Sequence, residues 1–155
     1  MIPELGHFAL LAALAVAVLQ ATVPLLGVWR RQPRWMDVGA SAAQGQFILV
    51  AVAYVCLTWA FVERDWSVVY VAANSHSQLP LMYRISAVWG AHEGSLLLWV
   101  LILGLWTVAV AAFSRRLPEV VVARVLGVMG LVSVGFLLFM LLTSNPFERL
   151  IPAAE

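Results

Sequence analysis

Four uncharged apolar runs decide what this chain can fold into. They occupy residues 5–29, 38–62, 94–114 and 125–147. A bilayer core requires about 20 apolar residues in helical form, and each run reaches that length. In lipid, a single segment satisfies its own backbone only as a helix. The runs therefore predict an all-α integral membrane bundle of four transmembrane helices. We place these at about 4–29, 38–62, 86–114 and 119–144, in one membrane domain over 1–155, with an interfacial outer loop over 63–85. Charged residues make up 11% of the chain and hydrophobic ones 63%. A soluble domain carries roughly 25% charged residues, so this chain lacks the polar surface that water would require.

The ends of the runs carry start and stop signals. Pro3-Glu4 and Pro118-Glu119 each set a proline beside an acid, which suits a helix N-terminus and its partial positive charge. Asp37 is placed to cap the second helix, and Asn145-Pro146 to close the fourth. Pro24 predicts a kink near the end of the first helix. The first run follows Glu4 rather than a basic segment and is too long for a cleaved leader, so it reads as a retained anchor.

Arginine placement predicts orientation. All nine basic residues are Arg. Arg30, Arg31 and Arg34 follow the first run, and Arg115, Arg116 and Arg124 lie around the third loop. These loops are expected in the cytoplasm. Both termini, including Glu148, Arg149 and Glu155, are then expected outside, N-out and C-out, with a periplasmic N-terminus. In the outer loop, Trp66, Tyr70 and Tyr83 suit the headgroup level. Pro80 could open an outward extension of the third helix.

Chemistry concentrates in 89–99, WGAHEGSLLLW. A histidine, an acid and two glycines stand there at the mouth of a membrane helix, where ionisable groups are costly and are functional candidates. Trp89, His92, Leu96, Trp99, Leu103 and Trp106 recur at alternating three- and four-residue steps, which on a helix is one stripe. Gly90 and Gly94 form a small-xxx-small pair that permits close approach. Trp89, Gly90, His92, Glu93, Gly94, Ser95, Trp99 and Trp106 are the candidate face for a flat aromatic cofactor or a partner helix. Ordinary helix packing, with tryptophans as interfacial anchors, explains the same spacing. Glu93 is expected to pair with Arg84, Ser86 or another helix. His92 could act as an axial ligand, a proton relay or a helix-end hydrogen bonder, and His7 and His76 are weaker candidates.

Elsewhere the signals are structural. Gln20, Gln44 and Gln46 suit interhelical hydrogen bonds, and Cys56 a small packed side chain. Ala123, Gly127 and Gly135, with Gly130 nearby, predict a packing surface on the fourth helix. The sequence holds no phosphate loop, no HExxH, no Cys-x-x-Cys and no sign of nucleic-acid binding.

The run 89–99, together with VVYVAANSHSQLPLMYRISAV (68–88), resembles the CcmF/CycK/NrfE family of cytochrome c-type biogenesis proteins. MIPELGHFAL (1–10) and LLTSNPFERL (141–150) are similar to that family as well. The resemblance implies a bacterial inner-membrane haem lyase, which attaches haem to the CxxCH motif of apocytochrome c. It implies haem as cofactor and, as partners, a periplasmic haem chaperone and a thiol-reducing protein that presents the apocytochrome. Family members are several times longer, and their haem-binding histidines and WWD segment lie beyond the stretch seen here. No ligand role is thus carried over to His7, His76 or His92, and the remaining lyase segment or subunit is itself an expected partner. The chain alone is not assigned catalytic residues or a metal site. It is expected to serve as scaffold and docking face, in contact with membrane lipid. The alternatives are a small assembly subunit without haem contact and a fragment of a proton-coupled transporter.

Overall fold

The computed structural model describes residues 1–114 and 116–150. Six helices follow one another: α1 (Ile2–Arg30), α2 (Pro33–Glu63), α3 (Val69–Asn74), α4 (Leu81–Ala87), α5 (His92–Phe113) and α6 (Glu119–Thr143). Helices α1, α2, α5 and α6 are long and apolar enough to cross a membrane. The chain is thus the all-α membrane bundle that the four runs require.

Helix α1 packs along α2 and α6, and α2 also packs on α5. Only Arg31 and Gln32 separate α1 from α2, which forces the two to run antiparallel. Arg31 takes the left-handed conformation (φ 53°), so the Gln32 amide reaches back to the Gly27 carbonyl at 2.9 Å. Arg64 ends α2 in the same way (φ 59°), with the Asp65 amide on the Ala60 carbonyl at 2.9 Å. A left-handed residue with a Cβ costs roughly 1–2 kcal/mol. The recovered carbonyl bonds offset that cost, and an arginine suits the negative end of the helix dipole.

The seams between spans are made of small residues. Gly6, Ala9, Ala13, Ala17, Ala21 and Gly27 are buried on α1, and Gly39, Ala43, Ala53, Cys56 and Ala60 are among the buried residues of α2. On α6, Ala123, Gly127 and Gly130 are buried. A Cβ on Gly130 would lie 2.8 Å from the Ala21 amide nitrogen, and one on Gly127 2.7 Å from Leu25 Cγ. Lipid is as apolar as leucine, so close packing rather than water exclusion drives such association.

Several expectations need correction. Gly135 is exposed, with nothing within 4 Å of its would-be Cβ, so it lies off the α6 packing face, which continues through Ser133, Leu137 and Met140. Asp37 does not cap α2, because Pro33 supplies a preset helical φ and starts the helix a turn earlier. Pro24 lies inside α1, where the sequence placed it, and is buried against Gly39. The predicted span 86–114 is two helices, since α4 ends at Ala87 and α5 starts at His92. Arg115 and Glu155 lie outside the described residues.

Loop and tail close one end of the bundle. Residue 68 pairs with residue 149 in an antiparallel bridge; the Val69 amide donates to Glu148 and the Leu150 amide to Ser67, both at 2.9 Å. The Arg149 guanidinium contacts Glu4 and Ser67, and lies 3.6 Å from Asp65. Both ends of the described chain therefore meet at the same end of the bundle, called here the loop end. Phe147 is buried beneath Gly6, where a Cβ would collide with its ring.

The α1–α6 seam gives a direct test. Gly130→Leu drives a side chain into the backbone of α1, which cannot swing aside, and should cost about 1–3 kcal/mol. Gly135→Leu faces open space and should cost almost nothing. Unfolding in mixed detergent micelles measures both; equal loss in the two variants would refute the assigned seam.

Candidate functional site

The segment between α4 and α5 is built around a tight turn. Amides of Val88, Trp89 and Gly90 bond back to carbonyls three residues earlier, and Ala91 is then extended (φ −129°) before α5 begins. The turn is held from beneath by Tyr70. Its hydroxyl donates to the Val88 carbonyl at 2.9 Å, and its ring stands edge-on to Phe61 with centroids 5.3 Å apart. Gly94 completes the junction, since any Cβ there would overlap the Val88 carbonyl and come within 2.6 Å of the Tyr70 oxygen. Burial pushes the Tyr70 phenol up from its ordinary value, with the Ala91 and Gly94 amides acting in the opposite sense.

Loop residues thus contribute more to the core than aromatic belts predict. Tyr70 is only 3% exposed and packs inside the protein, whereas Trp66 and Tyr83 are exposed. The sequence does hold a signal for this: 68–71 reads VVYV between the charged 63–65 and Asn74. That run is too short to span a membrane but apolar enough to be buried. Arg84 donates to the Val62 carbonyl at 2.6 Å, tying α4 to the end of α2.

Helix α5 has two contrasting faces. Gly94, Leu97, Val100, Gly104 and Thr107 are buried. The predicted stripe lies on the other side: His92 is exposed, Trp99 is 66% exposed and Trp106 64%, with Leu96 and Leu103 half-buried. Trp89 and Gly90 are exposed too, but they belong to the turn and not to the helical stripe. The small-xxx-small pairing of Gly90 with Gly94 is lost for the same reason. Gly94 makes its close approach to this chain's own backbone, while Gly90 meets only ordinary contacts with Ala87.

The acid and the histidines are likewise resolved. Among the described residues Glu93 has no ionic or hydrogen-bond partner; Arg84 is engaged with Val62, and Ser86 donates to Tyr83. Glu93 instead occupies the first turn of α5, where its charge suits the helix dipole. Ser95 donates to the His92 carbonyl at 2.9 Å. The His92 ring stands edge-on to Phe139 at 6.2 Å. His7 Nδ1 lies 3.3 Å from the Asn145 amide, and His76 is exposed on the loop. No three metal-binding side chains cluster among the described residues. His7, His76 and His92 sit on α1, the loop and α5 respectively.

Comparison with known proteins adds a length scale to this geometry. The profile of a family described as "Cytochrome C assembly protein" matches residues 89–154, starting at the turn itself. The cytochrome c-type biogenesis protein CcmF of Pseudomonas aeruginosa is 62% identical over 98% of this chain and 23% of its own length. CcmF of Escherichia coli (strain K12) is 55% identical over 98% of this chain and 24% of its length. The chain belongs to the CcmF/CycK/NrfE family of cytochrome c-type biogenesis proteins. A solved structure titled "Cytochrome c Heme Lyase CcmF" superposes with a TM-score of 0.91 at 29% identity, over 98% of this chain and 26% of that one. The chain thus spans about a quarter of the length of the relatives it matches, consistent with their N-terminal portion.

Tyr70 offers the sharpest test of the junction. Tyr70→Phe leaves a buried carbonyl unpaired and should cost about 1–3 kcal/mol, with faster amide hydrogen exchange confined to the first turn of α5. Unchanged exchange there would show that the phenol is dispensable. The pH dependence has a definite sign. A phenol whose pKa is raised on folding contributes stability that is fully present below pH 10 and is lost as pH rises through the folded value. Tyr70→Phe should therefore blunt alkaline unfolding.

Proposed function

We propose that this chain is the scaffold of a cytochrome c haem lyase's membrane bundle, and that the exposed stripe of α5 is its docking face. The observation that carries the reading is the pair Trp99 and Trp106. Each is about two-thirds exposed on a helix whose opposite face is fully packed. Trp99, near the middle of the span, is a poor interfacial anchor, because anchors collect at the membrane–water boundary. The large, rigid surfaces of the two tryptophans suit burial against further helices, and relatives about four times this chain's length have further chain to supply them.

On this reading the remaining lyase segment or subunit covers the stripe and carries the haem ligands. Trp89, Gly90 and His92 form the exposed rim at the loop end, beside the half-buried Glu93 and Ser95. There the haem chaperone and the thiol-reducing, apocytochrome-presenting partner would meet the bundle. Gly94 supports that rim from within and is not itself a contact surface. The loop end would be periplasmic and the arginine-rich end cytoplasmic in the bacterial inner membrane, N-out and C-out, by the positive-inside rule. The chain supplies position and surface, and covalent attachment of haem belongs to the complete protein.

The test uses the complete family protein or assembly containing this chain. Trp99→Ala with Trp106→Ala should lower holocytochrome c yield about tenfold, as loss of aromatic anchors does at interfaces. The level of the chain in the membrane should not change. Normal yield with both tryptophans removed would defeat the docking face. Normal assembly but failed haem attachment in His92→Ala would argue against a purely structural subunit.

A further inference from the structure

Leu25, Val28 and Trp29 from the end of α1, Arg31 just beyond it, and Val120 and Arg124 from the start of α6 line an open cleft of about 630 Å³ at the arginine-rich end of the bundle. The cleft adjoins the point where Leu25 is seated against Gly127, so the two helices are held at a fixed spacing. Its volume falls within the roughly 300–1,000 Å³ typical of ligand sites.

Three features of the cleft point to one chemistry. Arg31, in the link after α1, and Arg124, on α6, both line this one opening, and among the described residues neither has a carboxylate within salt-bridge distance. The adjacent Arg30 is turned elsewhere, its guanidinium 5.5 Å from the centre of the Trp35 ring. The walls between the arginines are apolar, and Trp29 is 76% exposed at the rim, as an indole at headgroup depth would be. A cationic rim above apolar walls at the end of membrane helices matches an anionic phospholipid: phosphate on the arginines, acyl chains along Leu25, Val28 and Val120.

We propose that the α1–α6 cleft is a specific site for a lipid carrying two phosphodiesters, of the diphosphatidylglycerol type, with Arg31 and Arg124 each taking one phosphate. Guanidinium suits this role because its planar fork bonds two phosphate oxygens at once. The site also staples α1 to α6 at the end where no loop–tail bridge holds them.

Native mass spectrometry of the full chain, released from nanodiscs of mixed phosphatidylethanolamine, phosphatidylglycerol and diphosphatidylglycerol, decides the matter. One diphosphatidylglycerol should be retained per chain, in preference to phosphatidylethanolamine. Arg31→Gln with Arg124→Gln should weaken retention about thirtyfold, reckoned from about 1 kcal/mol for each arginine near an anionic lipid. Arg34→Gln, which lies outside the cleft, should leave retention unchanged. Equal retention of phosphatidylethanolamine by the unmodified chain overturns the proposal, whether or not the double variant folds. So does an Arg34→Gln loss as large as that of the cleft variant, which would indicate only general surface charge. Inorganic phosphate or pyrophosphate in lipid-free detergent should give no comparable thermal protection; protection equal to that by the lipid would assign the arginines to a free anion and remove the lipid.

Discussion

Close contact between helix backbones is the constraint on which the rest of this structure depends. A chain surrounded by lipid gains nothing from hiding apolar side chains, because the solvent is itself apolar. What remains is dispersion, which falls steeply with distance. Alanine and glycine along α1, α2 and α6 bring the helix axes together, and larger residues such as Leu25, Leu57 and Leu126 fill what is left. Two polar groups inside the bundle fit the same picture, whereas the buried Gln46 side chain, expected to bond between helices, has no hydrogen-bond partner among the described residues. Gln20 donates to the Leu126 carbonyl at 2.9 Å across the α1–α6 seam, and Thr107 returns to Leu103 at 2.7 Å within its own helix.

The loop end follows from that packed frame. Val68, Tyr70 and Val71 are inserted among the ends of the spans, and Val88 comes down to meet Tyr70. Once a carbonyl and a phenol occupy that space, only glycine fits at 94. The start of α5 is therefore set by a residue in a distant part of the chain, and the orientation of its exposed stripe is set with it.

The spans were legible in the sequence because their signal is length and hydrophobicity, which need no knowledge of neighbours. The family was legible because 89–99 and its flanks carry an uncommon combination of residues. The His92–Trp99–Trp106 stripe was legible as a periodicity, but not whether it faced in or out. Only the burial of Gly94, Leu97 and Val100 on the other side determines that. The break at 88–91 was not legible, because its cause is Tyr70, and nothing in helix propensity at Trp89 or Gly90 reports a hydroxyl eighteen residues away. Gly94 was singled out for the right property, intolerance of a side chain, and assigned to the wrong neighbour. The expected partners of Glu93 failed similarly, since Arg84 is drawn off by a backbone carbonyl at the end of α2.

The two-residue link between α1 and α2 has a consequence for how the chain enters a bilayer. Arg31 and Gln32 are too few to let either span reorient alone, and the small-residue seam holds the pair together along its length. The hairpin is thus a single topogenic unit. Inverting it would carry Arg30, Arg31 and Arg34 across the hydrocarbon together, at a cost that rises with every one of those charges. The orientation of the hairpin is accordingly shared by α5 and α6, which pack against it.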